Sequence, residues 1–355
     1  MKILFAHMYD SRYALGGAER VVINLATAMK DDYGHDVTCA VNSSPVAGEL
    51  RERGCNVVEL AWSKWESFQT ITRLGHVLQT FQPAVVHSHH RYTTFLLDLF
   101  FRRRSRILHT EHVLRDDKKS FFRYGHYATA VAESVRQQLI DHYRVPEDRV
   151  CVIPNAVQLK APNMARVESL RRQYMNDPER LMALCVGRLE EQKGQAYLVE
   201  AVSMLSQKHR RKIVIFFAGD GRHEEELKSN VKHCGLSDNF AFLGFTKDIS
   251  ELLELCAFLV LPSLREGLPL TLLEAYAGGR PVIATDIPGT RDIVDVGNTG
   301  ILVPARDPAA LARAIESLLD DPIKTAAMAV NARRYADRYS YKEMTAQYDR
   351  LYRSI

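Results

Sequence analysis

"AFLVLPSLREGLPLTLLEAYAGGRPVIAT" runs from Ala257 to Thr285 and holds a whole strand–helix–strand unit. "AFLVLP" is an unbroken apolar run of strand length, as expected of a strand covered on both faces. "LTLLEAYA" has helical composition and stops at Gly278-Gly279, a helix terminator. Pro269 is expected at the first helical position, where its missing N–H is not needed. "PVIAT" then opens a second covered strand. Two covered strands joined by a helix form the parallel crossover from which α/β sheets are built.

The alternation extends in both directions. "MALCVG", "IVIFFAG" and "FAFLG" precede this unit and "GILVP" follows it, with helices such as "QAYLVEAVSMLSQKH" and "PAALARAIESLLD" between them. The first half has its own series: "KILFAH", "DVTCAV", "NVVEL", "AVVHSH", "RILHTEH", "ATAVA" and "VCVIP". After its first strand, Val22, Leu25, Ala26 and Met29 fall on one helix face. The polar, strandless segment Lys160 to Arg180 separates the two series. Residues 1–165 and 166–339 are therefore expected to form two Rossmann-like domains. In such folds ligands bind at the carboxyl ends of the strands, so a cleft between the two is the expected site.

Bulk properties agree. At 355 residues, with 46% hydrophobic and 25% charged residues, the chain suits two soluble domains. The net charge of +4 lies entirely in residues 1–160, where 21 Lys and Arg face 17 Asp and Glu. "FFRRRSR", Phe100 to Arg106, is either a peripheral contact for an anionic membrane or a solvated helix end. It lacks the aromatic interleaving and broad basic face of a nucleic-acid binder, so no nucleic-acid partner is expected. None of the six cysteines lies near another, so no zinc or CxxC pattern exists, and most read as small buried thiols. The chain begins directly in a strand-like run, and no apolar stretch reaches the roughly 18 residues of a membrane span. A cytoplasmic protein, peripheral on the membrane if it meets one, is the expectation.

Chemistry gathers in the strand-to-helix loops. Gly16 and Gly17 precede the first helix, where amides can face a phosphate, though a plain turn reads the same. G-x-G-x-x-G is absent, which argues against NAD and FAD. "LCVGRLEEQKG" delivers Arg188 and Lys193 to one loop, either as a diphosphate clamp or as solvated cations paired with Glu190 or Glu191. Gly219 and Gly221 in "AGDG" allow a tight ligand-facing turn. Glu266 lies before the helix that begins near Leu270 and Thr271, and Glu274 lies on its second turn. Acids so placed fit the two ends of a ligand about 10 Å long, with phosphates at the helix amides between them. Two acids working on one bond would stand closer. "HSHHRY" and "LHTEHV" end adjacent strands with His87, His89, His90, His109 and His112; metal binding is the minor reading. No D-x-D pair exists for a nucleotide-bound cation.

Taken in order, "GGAER", "TEH", "IPNAV", "VGRLEEQKG", "AGDG", "LGF", the Leu259–Gly289 stretch and "GILVP" resemble the retaining glycosyltransferases of family 4, across nearly the whole chain. The resemblance implies the GT-B fold, an α/β architecture of two Rossmann-like domains facing a cleft. The first domain would serve the acceptor and the second the nucleotide-sugar donor, with helix 340–355 packing back on the first. It also implies roles. Arg188, Lys193 and the amides of Leu270 and Thr271 would bind the donor diphosphate, which Gly16 and Gly17 would approach, and Gly219 would be among the donor-binding residues. Glu274 would hold the ribose and Glu266 the transferred sugar. The T-x-H pattern places the active-site histidine at His112, with His109 the other choice. "EGLP" and "PNA" depart from the family's "EGFG" and "PNG" and leave donor identity open. The expected activity is metal-independent transfer of a hexose-like sugar from a UDP-sugar to a saccharide or lipid-linked acceptor, without a cofactor. A nucleotide-sugar epimerase, a phosphorylase on the same fold and a non-catalytic nucleotide-sugar binder are the alternatives.

Overall fold

In a computed structural model of the chain, residues 1–8, 17–60, 67–115, 122–175, 177 and 179–355 are described. Among them, seven strands form one parallel sheet: β1 (Lys2–His7), β2 (Asp36–Asn42), β3 (Asn56–Leu60), β4 (Val85–Ser88), β5 (Arg106–Glu111), β6 (Tyr127–Ala130) and β7 (Val150–Val152). Their order is β3-β2-β1-β4-β5-β6-β7. Six more form a second parallel sheet: β8 (Leu181–Val186), β9 (Ile213–Ala218), β10 (Phe240–Phe242), β11 (Phe258–Leu261), β12 (Val282–Thr285) and β13 (Gly300–Val303). Their order is β10-β9-β8-β11-β12-β13. Every apolar run read as a strand is one. The reason is burial on both faces: Ile3 and Phe5 face one layer of helices, Leu4 and Ala6 the other.

Each sheet reverses its order once, between β1 and β4 in the first and between β8 and β11 in the second. Crevices at such switch points are where α/β sheets bind ligands. The chain divides into two compact units, Met1–Ala156 with Tyr341–Ile355, and Val157–Ser340. Residues 157–165, expected with the first domain, thus lie in the second unit, where the Asn163 amide donates to Glu251 (3.0 Å). The Asn163 side chain caps the helix Met164–Tyr174 within the polar segment.

The last helix, Tyr341–Ser354, packs Met344, Tyr348 and Tyr352 into the first unit's core beside Phe5 and Leu25. In the second unit, Leu198 and Val202 from one helix and Leu311 and Ile315 from another cover Ile215, Val260 and Ile283. Three local readings need correction. "QAYLVEAVSMLSQKH" is two helices, because the Ser206 hydroxyl accepts from the His209 amide (3.3 Å) and starts a new one. Pro269 caps its helix from an extended conformation and is not its first residue; its carbonyl accepts from the Leu272 amide (3.1 Å). Cys39 and Cys55, distant in sequence, are neighbours in the fold, because β2 pairs Cys39 with Val57 and so brings Cys55 alongside.

Candidate functional site

At the switch point of the second sheet, the loops after β8 and β11 are laced together. The Gln192 carbonyl accepts from the Leu264 amide (2.8 Å), and its side-chain amide donates to the Arg265 carbonyl (3.0 Å). Gly194 lies between, with φ +67; a Cβ there would sit 2.0 Å from the Pro262 carbonyl oxygen. Only glycine permits that approach. The lacing aligns Lys193 with Glu266, and the Lys193 ammonium donates to Glu266 Oε1 at 2.7 Å. Their side chains are 23% and 10% exposed, so the pair is only partly screened by solvent.

Arg188 leaves the same loop exposed to solvent, 3.4 Å from Glu190. The salt-bridged reading thus describes Arg188, whereas Lys193 takes Glu266 instead of Glu190 or Glu191. Gly219 has φ +151, and a Cβ on it would meet the Gly187 carbonyl oxygen at 2.1 Å. Its amide donates to the Gly244 carbonyl just after β10 (2.9 Å), so its role here is to let the ends of β8, β9 and β10 meet.

The helix Leu270–Ala277 begins directly after the Glu266 loop. Helix geometry leaves the Leu270 and Thr271 amides without an intrahelical acceptor, at the positive end of the dipole. Half-buried Glu274 stands one turn beyond Leu270. The helix ends in a Schellman motif, with Arg280 bonded to Ala275 and Gly279 to Tyr276 (2.8 and 2.9 Å). This corner therefore presents two cations, a helix N-terminus and two acids: donors for an anion flanked by acceptors for hydroxyls.

In the first unit, histidines gather at the carboxyl ends of β1, β4 and β5. His89 Nδ1 lies 3.0 Å from His112 Nε2. His109 is 1% exposed and bonded through Nδ1 to the Thr94 hydroxyl (2.8 Å), whereas His112 is half-buried beyond the strand end. Burial pushes the His112 and His90 imidazoles down to about 4, and His87 and His89 well below their usual value. These rings are therefore neutral at pH 7. Burial would raise the Glu111 carboxyl, but His109, Arg91 and Arg115 together bring it down to about 2. The Arg91 guanidinium, stacked on Phe122 and Tyr143 (4.8 and 4.5 Å), pairs with Glu111. Gly17 opens the helix Gly17–Asp31, whose Glu19 lies 3.5 Å from His7; Gly16 lies outside the described residues. His7 and Arg91 were missed by the sequence reading, although the end of β1 at a switch point marks His7. Among the described residues, no group of three or more His, Cys, Asp or Glu is arranged to hold a metal ion, and no helix is long and apolar enough to cross a membrane.

Comparison with known proteins follows the same division. The model of glycosyl transferases group 1 matches residues 167–335, and that of glycosyltransferase family 4 matches residues 15–161. The α-D-kanosaminyltransferase of Streptomyces kanamyceticus is 35% identical over 198 residues, 55% of this chain and 51% of that protein. The lipopolysaccharide core biosynthesis mannosyltransferase LpcC of Rhizobium leguminosarum bv. viciae is 35% identical over 162 residues, 44% and 46% of the two chains. The chain thus spans about half the length of these curated relatives. Among solved structures, Anabaena HepE in complex with UDP matches over 100% of both chains, with a TM-score of 0.88 at 20% identity. That likeness establishes the GT-B fold. With the family 4 model on the first parallel-sheet unit and the group 1 model on the second, the chain belongs to the family 4, group 1 glycosyltransferases.

Proposed function

We propose that the chain transfers a hexosyl group from a UDP-sugar to a saccharide or lipid-linked acceptor in cell-envelope or other polysaccharide synthesis, retaining anomeric configuration and needing no metal. The observation that carries this reading is the corner where Lys193 meets Glu266 beside the Leu270 helix end. As the sugar–phosphate bond breaks, negative charge grows on the departing diphosphate. Arg188, Lys193 and the Leu270 and Thr271 amides stabilise that charge, the role a metal ion would otherwise fill. Glu266 accepts from hydroxyls of the transferred sugar and Glu274 from the ribose. From the first unit we assign Gly17 to the diphosphate and His112 to the sugar or the acceptor. HepE's complexes with UDP and UDP-glucose support the choice of nucleotide. LpcC supports an envelope glycan as product. The basic run Arg102–Arg106, beside Leu99 and Phe100 at 54% and 51% exposure, is the surface we assign to anionic lipid on the cytoplasmic face. Co-sedimentation with phosphatidylglycerol but not phosphatidylcholine vesicles measures that contact, and equal sedimentation with both would remove it.

The decisive experiment measures sugar transfer from a panel of UDP-sugars in excess EDTA. The unsubstituted chain turns over, and Arg188→Ala or Lys193→Ala each lowers kcat about 100-fold, the usual cost of one stabilising donor. Unchanged turnover in both variants overturns the diphosphate clamp. Loss of activity in EDTA that magnesium restores overturns metal independence.

A further inference from the structure

The "HSHHRY" run supplies more histidines than the proposed reaction uses. His87 lies at the centre of the first sheet, 0% exposed, with a hydroxyl on each ring nitrogen. Its Nδ1 is 2.6 Å from the Tyr352 hydroxyl, and its Nε2 is 2.6 Å from the Thr110 hydroxyl. Thr110 continues to Thr129 (2.6 Å) and to the Tyr348 hydroxyl (3.2 Å). Tyr348 and Tyr352 both come from the last helix, Tyr341–Ser354. A buried polar network of this kind specifies one arrangement when every member is satisfied.

The protons can be assigned. Among the described residues, the Tyr352 hydroxyl has His87 as its one partner, so it donates to Nδ1. His87 must then carry its proton on Nε2 and donate to Thr110, which has Thr129 and Tyr348 to receive its own. Tyr352 thereby fixes both the tautomer and the ring plane of His87. His87 lies tilted against His89 with centroids 4.0 Å apart, and Phe5 lies against both rings, 5.6 Å from His87 and 6.2 Å from His89. Held against those rings, His89 aims Nδ1 at His112 Nε2, 3.0 Å away. A phenylalanine at position 352 would fill the core and keep the edge contact with the His87 ring (centroids 5.6 Å), removing only the hydroxyl's hydrogen bond.

We infer that Tyr352 is a positioning residue for His112, acting through His87 and His89, so that the returning C-terminal helix sets the imidazole of the proposed active site. The inference rests on the glycosyltransferase reading for its kinetic part alone.

The test compares Tyr352→Phe with Tyr341→Phe in the full chain. Tyr341 lies on the same helix but bonds Asn24, away from the histidines. Two readouts are taken: kcat and donor KM, and the imidazole nitrogen signals of His112 by long-range ¹H–¹⁵N correlation. Tyr352→Phe is expected to lower kcat about tenfold, the order for one lost supporting hydrogen bond, with donor KM held within about twofold. It is also expected to move the His112 signals. Tyr341→Phe is expected to change neither. Equal kcat effects in the two variants, or His112 signals unmoved by Tyr352→Phe, overturn the inference. If Tyr352→Phe does not fold, His89→Leu carries the same expectations and the same refutations. Absence of transfer activity from every sample would count against the function instead, while the nitrogen signals still decide the coupling.

Discussion

The Lys193–Glu266 pair places opposite charges where a diphosphate and a sugar are proposed to sit. At 2.7 Å the ammonium is committed to the carboxylate until an anion competes for it. Glu266 therefore plays two opposed parts: it accepts from sugar hydroxyls, and it repels phosphate and occupies its cation. Glu266→Gln separates them, since the amide keeps an acceptor but loses the charge. UDP, which lacks the transferred sugar, is expected to bind this variant a few times more tightly, while turnover with the UDP-sugar falls at least tenfold. Calorimetric titration with UDP, run beside the transfer assay, measures both. Weaker UDP binding in Glu266→Gln would show that the carboxylate helps hold the nucleotide and would break the division of roles. The pairing itself was not legible in the sequence. Both residues stood out, but 73 positions separate them and nothing in local spacing pairs them.

At the scale of elements, the strands were legible because each is covered on both faces and so writes a continuous apolar run. Helix ends were less so. Ser206 inside an apparently single helix and Pro269 one place outside its own were decided by which backbone groups needed partners. The joining of the β8 and β11 loops was also hidden, because it rests on Gln192 and on the empty side of Gly194. Gly194→Ala tests that joining. Its Cβ would meet the Pro262 carbonyl at 2.0 Å in a left-handed conformation that alanine adopts at a cost of about 1–2 kcal/mol before the clash is counted. The expected result is a loss of about 2–4 kcal/mol in urea unfolding and a fall in kcat/KM, because Lys193 and Glu266 must part. Unchanged activity at reduced stability would mean that the pair is not needed in this register.

The histidine shifts resolved among the described residues lie in one half of the molecule. His87, His89, His90, His112 and, more weakly, His126 all have their imidazoles pushed down by burial, and all lie in the unit Met1–Ala156 with Tyr341–Ile355. A histidine with a lowered folded value contributes full stability above its ordinary 6.5. As the pH falls toward about 4, the unfolded chain binds protons that the folded chain refuses, and that stability is lost. Each imidazole held at about 4 contributes on the order of 3 kcal/mol to this loss. Glu111, held at about 2, adds to it only below about 4.5, where unfolded carboxylates protonate. In the second unit, the shifts resolved among the described residues leave the range from pH 4 to 7 empty, the thiols and phenols moving up and Asp320 down from 3.8. Acidification from pH 7.5 to 5 should therefore loosen β4 and β5 while β9 and β11 hold. Amide hydrogen exchange, corrected for the intrinsic pH dependence of the rate, reads the two sheets separately in one sample. Equal loosening of both sheets would mean that the histidine cluster does not control acid stability, and that the imidazoles take up protons in the folded state.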